Sequence, residues 1–355
     1  MKIMVTGGCG FIGSNFIKYL LTDPEVTEEI KILNVDSITY AGQGRNIEHM
    51  YKESKNQKFL TNYKFIRVDI CDFHSIDIII KKFSPDCIVN FAAESHNSYA
   101  ILNPTVFFKT NLLGTQNLLE AARKNNVGRF HHISTCEVYG DLDLKSKKKF
   151  TETTSYKPNT PYNASKAAAD LAVRAYFKTF NLPITISNCS NNYGSYQFPE
   201  KLIPLFVTNL LENKKIPLYK NSQNKREWIH VLDHCKAIYK ILKNGKVGET
   251  YNVGTGVEKS IEEITTIILK YLNMPETMKE YVPDRPSHDR RYLLDSKKIM
   301  KELKWKPAIN FETGMKETIE WYKNNKIWWL SLKEKTLIQE NKWGVKRDKN
   351  QNESK

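Results

Sequence analysis

The sequence predicts an α/β protein: a doubly wound parallel sheet followed by a smaller C-terminal lobe. Three observations carry this. Short β-branched runs alternate with helical patterns from the first residues onward. Several runs are apolar almost throughout, as parallel strands covered on both faces must be. After about residue 190 the alternation stops, and Pro199, Pro204, Pro217, Pro283, Pro286 and Pro307 punctuate a less regular region. In order, the strand candidates are KIMVTG (2–7), IKILNVD (30–36), YKFIRVD (63–69), CIVNFAA (87–93), RFHHIS (129–134) and ITISNCS (184–190). Helical patterns cover 14–23, 75–83 and 105–125, and another helix opens at Asn159–Pro161 and runs to about 180. The expected domains are 1–187, rejoined by about 222–255; a second lobe from 188–221 and 256–330; and a polar tail, 331–355, ending KRDKNQNESK.

Composition narrows the function. At 355 residues, 40% hydrophobic and 11% aromatic, the chain suits a large soluble core. No apolar run is long enough to span a bilayer, and no signal segment precedes KIMVTGG, so no membrane partner is expected. The six cysteines are scattered without a CxxC pair, which points to reduced thiols in the cytoplasm and to no metal site. The net charge of +15 invites a nucleic-acid reading. Lysine, asparagine and isoleucine are abundant along the whole chain, however, so the charge reads as compositional bias. A positive field drawing anionic small molecules is expected, and no nucleic acid.

VTGGCGFIG sets Gly7, Gly10 and Gly13, with Phe11 and Ile12 between them, where the first strand meets the first helix. In a β-α-β context this is the dinucleotide-binding pattern of a Rossmann-like sheet. Gly7 permits the turn, Gly10 admits the pyrophosphate, and Gly13 lets helix and strand pack closely. Asp36 ends the second strand 23 residues after Gly13. An acid there bonds ribose hydroxyls and repels a 2′-phosphate, favouring NAD over NADP. Asp69 and Ile70 follow the third strand, where they would meet the adenine.

Tyr162 and Lys166 in PYNASK stand one helical turn apart on one face. A phenol is a poor base at neutral pH, and a neighbouring ammonium favours its phenolate. Ser134 and Thr135 end the fifth strand, followed by Cys136 and Glu137, which bring a thiol and a carboxylate to the same place.

At this point the chain resembles a known family. The glycine motif, ISTCEVYG (133–140), YNASK (162–166), NCSNNYG (188–194), FPEKLIPLF (198–206), REWIHVLDH (226–234), GETYNVG (248–254) and DRPSHDRRY (284–292) occur in order over roughly 1–325. Together they resemble the nucleoside-diphosphate-glucose 4,6-dehydratases, an extended branch of the short-chain dehydrogenases/reductases. The resemblance implies an internal redox cycle on UDP- or dTDP-glucose: oxidation at C4, loss of the C6 hydroxyl as water, and return of the hydride to C6. Tyr162 would take the C4 hydroxyl proton, Lys166 would tune it and hold the nicotinamide ribose, Thr135 would bond the C4 oxygen, and Glu137 would take the C5 proton. Ala92 and Ala93 would line the NAD cleft. The second lobe becomes a sugar-nucleotide lobe, with Ser95, His96, Asn188, Asn191, Glu200, Lys201, Leu202, Arg226, Asn252, Arg285 and His288 as substrate contacts. The 4-keto-6-deoxy product would lead toward rhamnose or related deoxysugars.

The chain departs from the family twice. Cys136 stands where the family has aspartate, the acid for the departing hydroxyl, and Asn97–Ala100 replaces a usual Val-Asp-Arg-Ser. Two accounts of the acid remain open: the Cys136 thiol donates, or Glu137 both takes and returns the proton. Two other readings stand beside the dehydratase: a nucleotide-sugar 4-epimerase on the same scaffold, which would not need Glu137, and a non-catalytic NAD-binding scaffold protein. Apolar Phe107, Leu112, Leu119, Leu171 and Val173 on more than one face of the helices 105–125 and 162–180 predict a homodimer through a four-helix bundle.

Overall fold

A computed structural model describes residues 1–220, 222–284 and 286–335. Seven parallel strands form the central sheet. In chain order they include β1 (Lys2–Thr6), β2 (Lys31–Asp36), β3 (Tyr63–Arg67), β4 (Cys87–Asn90), β5 (Arg129–Thr135) and β6 (Ile184–Cys189). After β6 the chain leaves the sheet for β7 (Asn191–Tyr193), β8 (Ile216–Tyr219) and β9 (Lys225–His230), then returns with β10 (Thr250–Val253) as the seventh strand. The lateral order is β10-β6-β5-β4-β1-β2-β3. The chain therefore winds outward both ways from β1 and β4, and the switch between them opens a crevice at the carboxyl ends of the strands.

Alternation along each strand explains the two covering layers. Ile3, Val5 and Ile32 pack in one core with Phe16, Ile17, Leu20, Cys235 and Ile238. Met4, Leu33, Ile88, Phe130 and Ile184 face a second core with Ile76, Ile80, Leu118, Leu119 and Val173. β3 is the exception to full coverage: it lies at the sheet edge, and Phe65 and Ile66 are exposed.

The helix expected over 105–125 is broken in character. It runs Pro104–Phe107 as α-helix, Phe108–Gly114 as a wider π-helix, then Thr115–Lys124 as α-helix. In the wide segment Asn111 is fully buried and bonds both backbone groups of Glu94 and the Ser165 hydroxyl (2.8–3.0 Å), tying the crevice wall to the next helix. The apolar faces also differ from expectation. Phe107, Leu119 and Val173 are spent inside this chain, because the adjoining helices and sheet cover them. Leu102, Phe108, Leu113 and Leu171 are the exposed ones.

The second lobe is small sheets and loops. β7 and β9 pair in parallel and β11 (Glu258–Ser260) runs antiparallel to β9; β8 pairs with β12 (Lys279–Val282). Packing continues past the expected boundary at 330. The helix Lys326–Lys333 buries Trp328, Trp329 and Leu332, whose apolar surface outweighs the polar sequence around them. The rest of the expected tail lies outside the described residues.

Candidate active site

The crevice begins with the glycine loop. β1 ends at Thr6 and the chain turns at Gly7, with φ +70°. A Cβ on Gly7 would lie 2.5 Å from the Ala92 nitrogen, and one on Gly13 would lie 2.4 Å from the Gly7 oxygen. Only residues without side chains let these backbones approach. Gly10 N–H donates to Gly7 O (3.1 Å) and the helix Phe11–Thr22 starts there. Across the loop, the Asp36 carboxylate accepts from Cys9 N (2.9 Å) and Ile38 N (2.7 Å). Burial raises its pKa, and these two N–H groups pull it back. One cavity of about 330 Å³ is lined by Gly7, Gly10, Phe11, Ile12, Gly13, Asp36, Asp69, Ile70, Ala92, Ala93, Tyr162 and Lys166, every residue expected to hold NAD. Glycine backbone at a helix N-terminus with an acid opposite is a shape and charge that fit a pyrophosphate and a ribose.

The groups expected to react, Thr135, Glu137, Tyr162 and Lys166, line this same cavity. Thr135 ends β5 and its hydroxyl accepts from Glu137 N (3.2 Å), capping the short turn Cys136–Tyr139 that presents Glu137. The helix Pro161–Phe180 starts at Thr160, whose hydroxyl accepts from Asn163 N (3.2 Å), with proline in its first turn. One face of that helix buries Tyr162, Ser165, Lys166, Ala169, Asp170 and Val173. Burial raises the Tyr162 pKa well above its usual value, with the Glu137 charge next, while a hydrogen bond with Thr135 lowers it. Lys166 turns its ammonium to Ile133 O (2.7 Å) and His132 Nε2 (3.3 Å). Burial brings its pKa down to about 8, and Asp170 opposes that fall. Asp170 in turn accepts from Ser134 (2.8 Å) and Tyr156 (2.9 Å), and burial raises its pKa to about 6. Among these groups the hydrogen-bond partner of Tyr162 is thus Thr135, while Lys166 bonds His132 and Ile133 O.

Cys136, expected to assist water loss, lines this cavity between Thr135 and Glu137 and packs behind it. It is buried in an apolar cluster with Val138, Tyr139, Phe150 and Tyr292. Burial first, then the charge of Glu137, pushes its thiol well above its ordinary pKa.

A second cavity, of about 730 Å³, shares part of its lining with the first. Ser95, His96, Asn191, Glu200, Lys201, Leu202, Arg226 and His288 all line it, and Glu137 lines both cavities. Lys201 Nζ donates to Ser95 O (2.8 Å) and Tyr40 donates to Glu200 (2.8 Å), strapping the two walls together. The Arg226 guanidinium lies over the Tyr292 ring (4.6 Å) and donates to Asp289 O (2.7 Å). His288 meets the edge of Tyr219 (5.2 Å). Asn188 and Asn252, expected among the substrate contacts, line neither cavity. Both are fully buried on Tyr139: Asn188 Nδ2 donates to its hydroxyl (2.8 Å), which donates to Asn252 Oδ1 (2.8 Å). Strand ends β6 and β10 turn these amides into the interior, and they become framework. Arg285 lies outside the described residues.

Three groups were missed. Asp170 stands four residues after Lys166, a spacing that shares a helix face and was open to reading. His132 and Asn97 gave no such signal, since only the folded chain brings His132 to Lys166 and Asn97 to Glu137 (2.8 Å). Among the described residues no cluster of histidine, cysteine or acidic groups could hold a metal ion.

A glycine-loop crevice, a Tyr-x-x-x-Lys helix and a hydroxyl at the end of β5 define an extended short-chain dehydrogenase/reductase. The GDP-mannose 4,6 dehydratase family model matches residues 4–318. The dTDP-glucose 4,6-dehydratase of Salmonella typhimurium is 43% identical, over 94% of this chain and 96% of that one. The chain belongs to the nucleoside-diphosphate-sugar 4,6-dehydratase family. A dTDP-glucose 4,6-dehydratase structure from Streptomyces venezuelae, solved with NAD bound, superposes with a TM-score of 0.87 at 43% identity, over 94% of this chain and 100% of that chain. The UDP-glucose 4-epimerase of Thermus thermophilus, also with NAD, reaches 0.81 at 26% identity, over 92% and 100%.

Proposed function

We propose that this chain is a hydro-lyase that converts a nucleoside-diphosphate glucose to its 4-keto-6-deoxy derivative with NAD as resident cofactor. The observation that carries the reading is Glu137, a carboxylate held beside Thr135 and Tyr162 where the two cavities meet. A 4-epimerase needs only the hydroxyl pair, so a carboxylate there favours elimination. The 43% identity to dTDP-glucose 4,6-dehydratases, against 26% to an epimerase, supports the same choice.

In this reading residues 1–187 with 222–255 hold NAD, and 188–221 with 256–330 hold the sugar nucleotide. NAD, held by the Gly7–Gly13 loop, Asp36 and Lys166, would supply the acceptor for the C4 hydride and the donor for C6. Tyr162 takes the C4 hydroxyl proton, with Thr135 bonding the same oxygen. Lys166, kept protonated by Asp170, supplies the positive field behind it. Glu137 removes the C5 proton that the C4 ketone has acidified, and returns a proton to the departing C6 hydroxyl. Cys136 packs beneath it. Arg226 and Lys201 face the diphosphate.

The product leads toward rhamnose or other deoxysugars. The enzyme works in the cytoplasm, consistent with six unpaired cysteines, and cell fractionation checks it. It acts as a homodimer: Leu113 and Leu171, 55% and 59% exposed, offer the apolar stripe of a four-helix bundle. A monomer at every concentration in sedimentation contradicts that. The reaction is tested by incubation with dTDP-glucose and UDP-glucose and product mass. Loss of one water supports the dehydratase; a new hexose of equal mass means epimerase; no turnover means a scaffold.

A further inference from the structure

We propose that Asn97 is the positioning residue of the elimination step, holding the Glu137 carboxylate in place and in its charged form. The inference rests on the role proposed above for Glu137. Asn97 begins the helix Asn97–Leu102 on the wall of the larger cavity, beside Glu137. Its Nδ2 donates to Glu137 Oε2 at 2.8 Å, and its Oδ1 accepts from the Thr160 hydroxyl at 2.7 Å. Thr160 is the cap of the helix that carries Tyr162 and Lys166. One amide therefore ties the carboxylate to the start of the helix that bears the other reacting groups.

The direction of this chain follows from hydrogen-bond inventory. The Thr160 oxygen already accepts from Asn163 N (3.2 Å), and its single proton goes to Asn97 Oδ1. With its Oδ1 taken by that proton, the amide turns its NH₂ end to Glu137. An ionised carboxylate only accepts, so this contact is complete when Glu137 is charged and is weakened when it is protonated. The charge of Glu137 reaches four neutral neighbours, and the Arg226 cation acts on two of them, Cys136 and Tyr292. Cys136 on its own turn, Tyr162 on the long helix, Cys189 at the end of β6 and Tyr292 each feel its negative charge. Each would repel it in turn if ionised.

This matters because one carboxyl both takes and returns a proton. Such a group works best when it neither refuses the proton nor keeps it. A fixed N–H donor lowers its hold on the proton after C5 is deprotonated and so speeds delivery to the C6 hydroxyl. It also assigns Oε2 to the scaffold, which directs the incoming proton to Oε1.

The test uses the full chain with NAD and dTDP-glucose, and compares Asn97→Asp with Asn97→Leu. The aspartate keeps the shape and the acceptor for Thr160 but turns the donor into a second anion. Turnover should fall about tenfold in Asn97→Leu and on the order of 100-fold in Asn97→Asp. Both should form NADH at the parent's rate and accumulate more of it. In Asn97→Leu the acid limb of the turnover profile should rise by about one pH unit, because the charged carboxylate has lost a donor. A purely structural role predicts the reverse order, with the isosteric Asn97→Asp the milder variant, and an unmoved acid limb; either result overturns the proposal. Parent protein that forms NADH yet releases no water-depleted product overturns the reading of the reaction, and this inference with it.

Discussion

The two cavities are made in different ways. The smaller one is backbone: a glycine turn, strand ends and the N-terminus of one helix, all within a parallel sheet whose order fixes where they meet. The larger one is side chains. It joins segments around 95–98, 191–209, 214–228 and 280–292, and its walls are tied by contacts such as Lys201 to Ser95, 106 residues apart. The first can fail by gaining an atom, and the second by losing a bond. Glu137 lines both, as do Glu200 and Lys201, and it alone of these follows directly on Thr135 and Cys136.

The sharpest break of the first kind is Gly7→Ala. Its Cβ would meet Ala92 backbone at 2.5 Å, at a φ that side chains resist. Purified Gly7→Ala protein should carry no NAD in its absorbance spectrum and should melt several degrees lower, the strained backbone costing about 1–3 kcal/mol. Retention of NAD at the parent's level would remove the backbone account of this cavity.

Next in size is Asp170→Asn, which leaves the cavities alone and alters the charge behind Lys166. Asp170 supports the Lys166 ammonium against burial, so its loss lowers the lysine pKa further below about 8. The active protonated form then disappears at lower pH. The alkaline limb of turnover should move down by about one unit, with about fivefold loss at pH 8 and little at pH 6.5. An unmoved limb would show that Asp170 serves Ser134 and Tyr156 only.

The smallest effect is expected at Cys136→Ala. Removing a buried sulfur should cost about 1 kcal/mol of stability by denaturant titration, while turnover stays within about twofold. A fall of 100-fold or more with C4 oxidation intact would return the thiol to the chemistry.

The same contrast decides what the sequence disclosed. The backbone cavity was open to reading: Gly7, Gly10, Gly13 and Asp36 sit at places that a β-α-β unit dictates, and all line it. The helix pair Tyr162 and Lys166 was equally plain from its spacing, whereas the hydrogen bond of Tyr162 to Thr135 emerges only in the fold. The side-chain cavity depends on folding at long range. Asn188 and Asn252 carried the right motif, yet their amides turn inward to Tyr139. Asn97 stood in a segment that departed from the family and drew no assignment, although it bonds the central carboxylate. The π-helix at Phe108–Gly114, which carries the buried Asn111, has no periodic signature in so short a run.

The central claim is that Glu137 carries the protons of the elimination and takes no part in the oxidation. A single turnover of Glu137→Gln with dTDP-glucose, followed by NADH absorbance and quenched-product mass, tests it directly. The account predicts NADH appearing at close to the parent's rate and then persisting, with a product that has lost two hydrogens and no water. Water loss at the parent's rate, or no NADH at all, would contradict it.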